Sequence, residues 1–131
     1  MKPKDLALGA GVLALLACSP AWAQGALNNW YIVKDPQELR DLYSNKTFRG
    51  NGWVGYYRAD GHGMVVIGNL KPSPRTWEVE ADGRVCVTAP DRPRACSQIQ
   101  RNRAKPDELM GTNLTTGRSL TFKLEEGVPD F

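Results

Sequence analysis

The stretch Thr76–Arg101, TWEVEADGRVCVTAPDRPRACSQIQR, decides the fold. It opens on strict alternation. Trp77, Val79 and Ala81 share one face, and Thr76, Glu78 and Glu80 share the other, which is the period of a half-buried β-strand. Asp82-Gly83 follows, and Asp-Gly between alternating runs predicts a tight hairpin of type I′. The next strand, Arg84–Ala89, puts Val85 and Val87 on one face and Cys86 on the other. Past the Pro90–Arg94 segment, read as a loop, Ile99 falls three residues after Cys96, so these two face oppositely. If Val85, Val87 and Ile99 line the core, both cysteines lie on the outer face. They then meet across neighbouring antiparallel strands without crossing the core.

The same grammar extends both ways. Leu120, Phe122 and Leu124 alternate in SLTFKL. GWVGYYR and MVVIGNL carry apolar residues on both faces. A second Asp-Gly turn, Asp60-Gly61, separates them, and TTG ends at Gly117. One helix is signalled ahead of the strands. In DPQELRDLYSN, Asp35 is an N-cap candidate, Pro36 suits the first helical position and Glu38 completes a capping box. Leu39, Leu42 and Tyr43 form one apolar stripe, and Asn45 is a stop. A helix this short must dock on something to persist. The expected fold is mainly β: seven or eight short antiparallel strands after one short α-helix, closed as a small barrel or curled as a half-barrel, because open edges invite aggregation.

The N-terminal segment sets the expected compartment. Lys2 and Lys4 precede an apolar run from Leu6 to Ala17, too short for the roughly 20 residues of a membrane span. Ala21-Trp22-Ala23 then offers a signal-peptidase site. Residues 1–23 are read as a signal peptide and 24–131 as one domain, periplasmic or secreted. A competing cleavage exists, since Leu15-Leu16-Ala17-Cys18 resembles a lipobox and makes Cys18 a possible lipid anchor. The domain keeps 15 basic and 13 acidic residues, a net charge of +2. No second long apolar run follows, so no transmembrane span is expected.

Export leaves Cys86 and Cys96, and an even count in an oxidising compartment reads as a disulfide. Zinc wants four ligands, and His62 is the sole histidine. A redox motif wants cysteines two residues apart. No metal and no cofactor are therefore expected.

Helix, hairpins and second cysteine together carry a resemblance. Lys46-Thr47-Phe48 after the helix, and the block Trp77, Val79, Asp82, Gly83 and Cys86, resemble a family of small exported proteobacterial proteins of unknown function with a lipocalin-like β fold. The likeness covers roughly Asp35 to Phe131. It implies the β fold and brings no established chemistry. The segment NLKPSPR is longer than that pattern suggests.

Chemistry-bearing constellations are few. His62 sits in DGHG, a turn, without a nucleophile or acid partner that the sequence places beside it. The carboxylate pairs Glu78/Glu80, Asp107/Glu108 and Glu125/Glu126 read as solvated, and no enzyme is expected. The basic window Arg92, Arg94, Arg101, Arg103 and Lys105 reads as a contact for an anionic or protein partner in the cell envelope, with Arg92 and Arg94 held by the disulfide. Nucleic acid is not expected in that compartment. Among the aromatics Trp30, Trp53, Tyr56, Tyr57 and Trp77, an unfilled barrel lets Trp53, Tyr57 and Trp77 wall a small apolar pocket. The expected function is non-enzymatic envelope binding; the alternatives are a lipocalin-type carrier of a small apolar ligand and an inhibitor of a secreted hydrolase.

Overall fold

The computed structural model describes residues 29–130; the signal-peptide segment and Cys18 lie outside the described residues. Strand β1 (Trp30–Val33) leads into helix α1 (Pro36–Tyr43). Eight strands follow: β2 (Lys46–Gly50), β3 (Trp53–Tyr57), β4 (His62–Ile67), β5 (Ser73–Val79), β6 (Val85–Ala89), β7 (Arg92–Asn102), β8 (Glu108–Asn113) and β9 (Ser119–Glu126). Each pairs antiparallel with the next, and β9 returns to β2 through Phe48↔Leu124 and its neighbours. The result is a closed up-and-down barrel of eight strands, with β1 alongside β7. Closure removes the free edges that a half-barrel leaves.

Alternation gives the barrel its core. Phe48, Tyr57, Val65, Trp77, Val85, Ile99, Leu109 and Phe122 point inward and are buried. The apolar stripe of α1 joins them: Leu39 is fully buried, and Leu42 and Tyr43 nearly so. The Tyr43 ring lies 4.4 Å from Phe48, 5.6 Å from Tyr57 and 5.5 Å from Trp77. The helix therefore plugs one end of the barrel. Its start follows the sequence signal in its N-cap, Asp35, which accepts from the Gln37 N–H; the expected capping box does not close, because Glu38 accepts from the Tyr31 hydroxyl at 3.1 Å and faces Arg101 instead. Its end is Ser44, whose N–H and hydroxyl both bond the Arg40 carbonyl. Asn45 then turns left-handed at φ 60°.

Two expectations change. Neither Asp-Gly hairpin is a type I′ turn, because only the glycines, Gly61 at φ 92° and Gly83 at φ 87°, are left-handed. Gly61 N–H bonds Arg58 O while Arg58 N–H bonds His62 O, and Glu80, Gly83 and Arg84 repeat the pattern. Both are three-residue loops, a type I turn closed by a left-handed glycine. The glycine resolves the extra residue, so the aspartate keeps an ordinary conformation. At Gly83 a Cβ would also stand 2.5 Å from the Lys34 carbonyl oxygen.

The Pro90–Arg94 segment is not a loop. Ala89 pairs directly with Arg92, so only Pro90 and Asp91 turn the chain, and both arginines lie on β7. The register then slips. Val87 pairs with Ala95, so two steps along β6 face three along β7. This β-bulge at Pro93-Arg94 adds one residue and reverses the parity of what precedes it. Beyond it the parity reading holds: Cys86 and Cys96 are direct partners, their sulfurs 2.14 Å apart at bonding distance. Both sit outside the barrel, yet Cys86 is buried.

Candidate functional site

The eight strands make two unlike ends. At the α1 end, inward cations are matched. Arg101 donates to the Pro106 carbonyl at 2.7 Å and stands 3.8 Å from Glu38. Lys46 faces Glu126 at 3.8 Å and donates to the Asp41 carbonyl. Trp77 belongs to this end: its indole N–H donates to the Arg58 carbonyl at 2.8 Å, and its ring packs on Tyr43.

The opposite end is open. The connections β2–β3, β4–β5, β6–β7 and β8–β9 form its rim. A pocket of about 320 Å³ sits there, lined by Asn51, Gly52, Trp53, Tyr57, Val65, Ile67, Arg75, Arg92 and Leu120. Trp53, Tyr57 and Leu120 also line a deeper space of about 170 Å³ inside the barrel, floored by Tyr43 and Phe48. The volume falls at the lower end of the range for ligand cavities, about 300–1,000 Å³. An eight-stranded barrel is just wide enough to be filled by side chains or to hold one small ligand. The rim is apolar and wet: Ile67 is 40%, Leu70 68% and Leu120 60% exposed.

Two arginines enter this mouth. Arg75 shares the inward face of β5 with Trp77, and its Nε is buried without a hydrogen-bond partner. Arg92 is brought to the same side by the bulge, opposite the buried Ala89. Neither forms an ion pair among the described residues. Asp91 is the sole acid lining the adjoining rim cleft with Lys71, Arg75 and Arg92. Burial pushes the Tyr57 hydroxyl up to about 12, while the nearby Arg75 guanidinium pulls it down.

The basic window read from the sequence is thus dispersed. Arg94 faces outward and bridges Glu78 at 3.2 Å and Glu80 at 2.6 Å. Arg101 is held under the helix. Arg103 lies over the Tyr31 ring, 4.7 Å from its centroid. Lys105 is exposed in the β7–β8 connection, where its N–H bonds Asn102 Oδ1. Only Arg92 reaches the mouth. Of the aromatic trio, Trp53 and Tyr57 line the pocket and Trp77 does not. Arg75 was missed, although its inward parity with Trp77 was readable in the alternation.

Of the carboxylate pairs, Glu78, Glu80 and Glu125 are engaged on the outer surface, Glu126 faces Lys46 at the helix end, and Glu108 accepts from Asn102 at 3.0 Å. Hydrogen bonds from Arg94, then Arg84, hold the Glu80 carboxyl below the usual carboxylate range. Glu125 pairs with Arg49 at 3.0 Å. His62 is exposed; its backbone N–H donates to Asp60 at 3.1 Å. Among the described residues no cluster of metal-binding side chains forms, and no helix is long and apolar enough to cross a membrane. No protein-family model, curated protein or solved structure matches the chain.

Proposed function

We propose that this barrel is a carrier of a small apolar ligand, working in the periplasm or outside the cell and binding at the open mouth. The observation that carries this reading is the rim. Ile67 and Leu120 remain exposed around a pocket of about 320 Å³ walled by Trp53 and Tyr57, and Leu70 lines the cleft beside it; at the other end Leu39, Leu42 and Tyr43 fill the barrel, and the cleft of about 600 Å³ beside α1 is lined largely by charged residues, among them Glu38, Lys46, Arg101 and Glu126. A contiguous exposed apolar surface around a concavity marks a binding site. The Cys86–Cys96 pair supports an oxidising compartment. The competing partner, an acidic surface docking on the basic window, is less supported, because Arg94 and Arg101 already hold their own acids.

Nile red, a neutral dye, tests the reading. Its emission is expected to rise and shift to the blue on titration with the protein, at one dye per barrel. Leu120→Asp, which charges the rim, is expected to weaken the dye at least tenfold. Lys105→Ala, far from the mouth, leaves it unchanged. Equal binding to Leu120→Asp and the parent overturns the assignment to the mouth.

A further inference from the structure

Resting on that reading, we infer that the ligand is an amphipathic anion whose charged group is held by Arg75 and Arg92. A guanidinium turned into an apolar barrel is costly unless something pairs with it. Every other inward cation here is paired: Arg101 with Glu38 and the Pro106 carbonyl, Lys46 with Glu126 and the Asp41 carbonyl. Arg75 has no such partner, and its Nε is shut off from water with no acceptor. A buried, unsatisfied donor calls for a specific explanation.

The second cation argues for the same answer. Alternation counted back from Cys96 puts Arg92 and Arg94 together on the outer face. The bulge separates them, leaving Arg94 with Glu78 and Glu80 and sending Arg92 to the mouth. Bulges recur where a side chain must be re-aimed. Asp91 lines the same cleft as both arginines yet pairs with neither, so Lys71, Arg75 and Arg92 leave that cleft net positive. Two guanidinium forks suit the planar oxygens of a carboxylate or the oxygens of a phosphate. The walls below them, Trp53, Tyr57, Val65 and Leu120, suit an alkyl or ring body. A purely apolar ligand satisfies the walls and leaves both forks unpaired.

Displacement of bound Nile red by decanoate, decyl phosphate and decanol, each below its micelle concentration, tests this. In the parent protein at least one anion is expected to displace the dye at a tenfold or greater lower concentration than decanol. Superiority of either anion supports the inference and identifies the headgroup. In Arg75→Gln and in Arg92→Gln the gap is expected to shrink below threefold, each competitor's potency being scaled to that variant's own dye affinity. Arg92 is exposed, so its variant keeps the test open if Arg75→Gln fails to fold. Decanol as potent as both anions overturns the anion while leaving the apolar carrier intact. A gap undiminished in both variants overturns the assignment to these arginines. Failure of the parent to bind Nile red overturns the carrier reading itself.

Discussion

The two ends of the barrel use the same residue types to opposite effect. At the helix end, Tyr43, Phe48, Tyr57 and Trp77 stack into one aromatic cluster, and Leu39 and Leu42 close over it. Each inward cation there has an oxygen. At the mouth, Leu120 and Ile67 stay wet, Trp53 is half buried, and Arg75 and Arg92 have no counter-charge. A chain of this size has little core to spare, and the apolar stripe of α1 enlarges it at one end. The other end is then free to keep apolar surface and charge that folding alone does not reward, which is where function and stability part.

That contrast is open to attack at several strengths. The largest effect is expected at the sealed end, where Leu39→Ala removes a fully buried side chain and costs about 2–5 kcal/mol. Leu120→Ala at the mouth is expected to cost about 0.5 kcal/mol or less. Urea titrations followed by tryptophan fluorescence measure both, and similar losses at the two ends break the comparison. Alkaline pH gives a second handle. The folded-state value of Tyr57 is raised above that of the unfolded chain, so its contribution is complete below about pH 10 and is lost as pH rises through about 12. A shift of that size corresponds to roughly 3 kcal/mol. The tyrosinate absorbance of the buried pair, Tyr43 and Tyr57, is expected to appear together with unfolding; its appearance in a still-folded barrel shows that water reaches this pair from the mouth, whose pocket Tyr57 lines. The smallest expected change is the most discriminating. Arg75→Leu replaces an unpaired inward cation by an apolar side chain, and is expected to leave stability unchanged or raise it by up to about 1 kcal/mol. A loss above about 1.5 kcal/mol in the same urea assay makes Arg75 a structural residue and ends the contrast.

Local grammar made most of the scaffold legible. Alternation placed Trp77, Val85, Ile99 and Phe122 in the core, and the Asp35 cap placed the helix. Parity paired Cys86 with Cys96, because strand side chains alternate with a fixed period of two. The site was read in part. Trp53 and Tyr57 are pocket walls, but simple alternation keeps Arg92 and Arg94 on one face, and Arg75 ends NLKPSPR, whose two prolines hide the start of β5. A charge on an alternating strand looks solvated until the other wall of the barrel is in place.

Sequence by itself thus determined the alternating strands around Trp77, Val85 and Phe122, the positions of the two Asp-Gly turns, the helix cap and the cysteine partners, since each depends on residues within about ten positions of one another; β1 and β8 carry no such local signal. Tertiary structure decided three things. It joined β2 to β9 through Phe48 and Leu124, and so closed the barrel. It put α1 over one end alone. It slipped β7 by one residue at Pro93-Arg94, which put Arg92 on the lining of the mouth pocket that Arg75 also lines. The reason is common to all three: pairing register between distant strands is set by what both faces bury together, and a one-residue slip reverses every side chain before it.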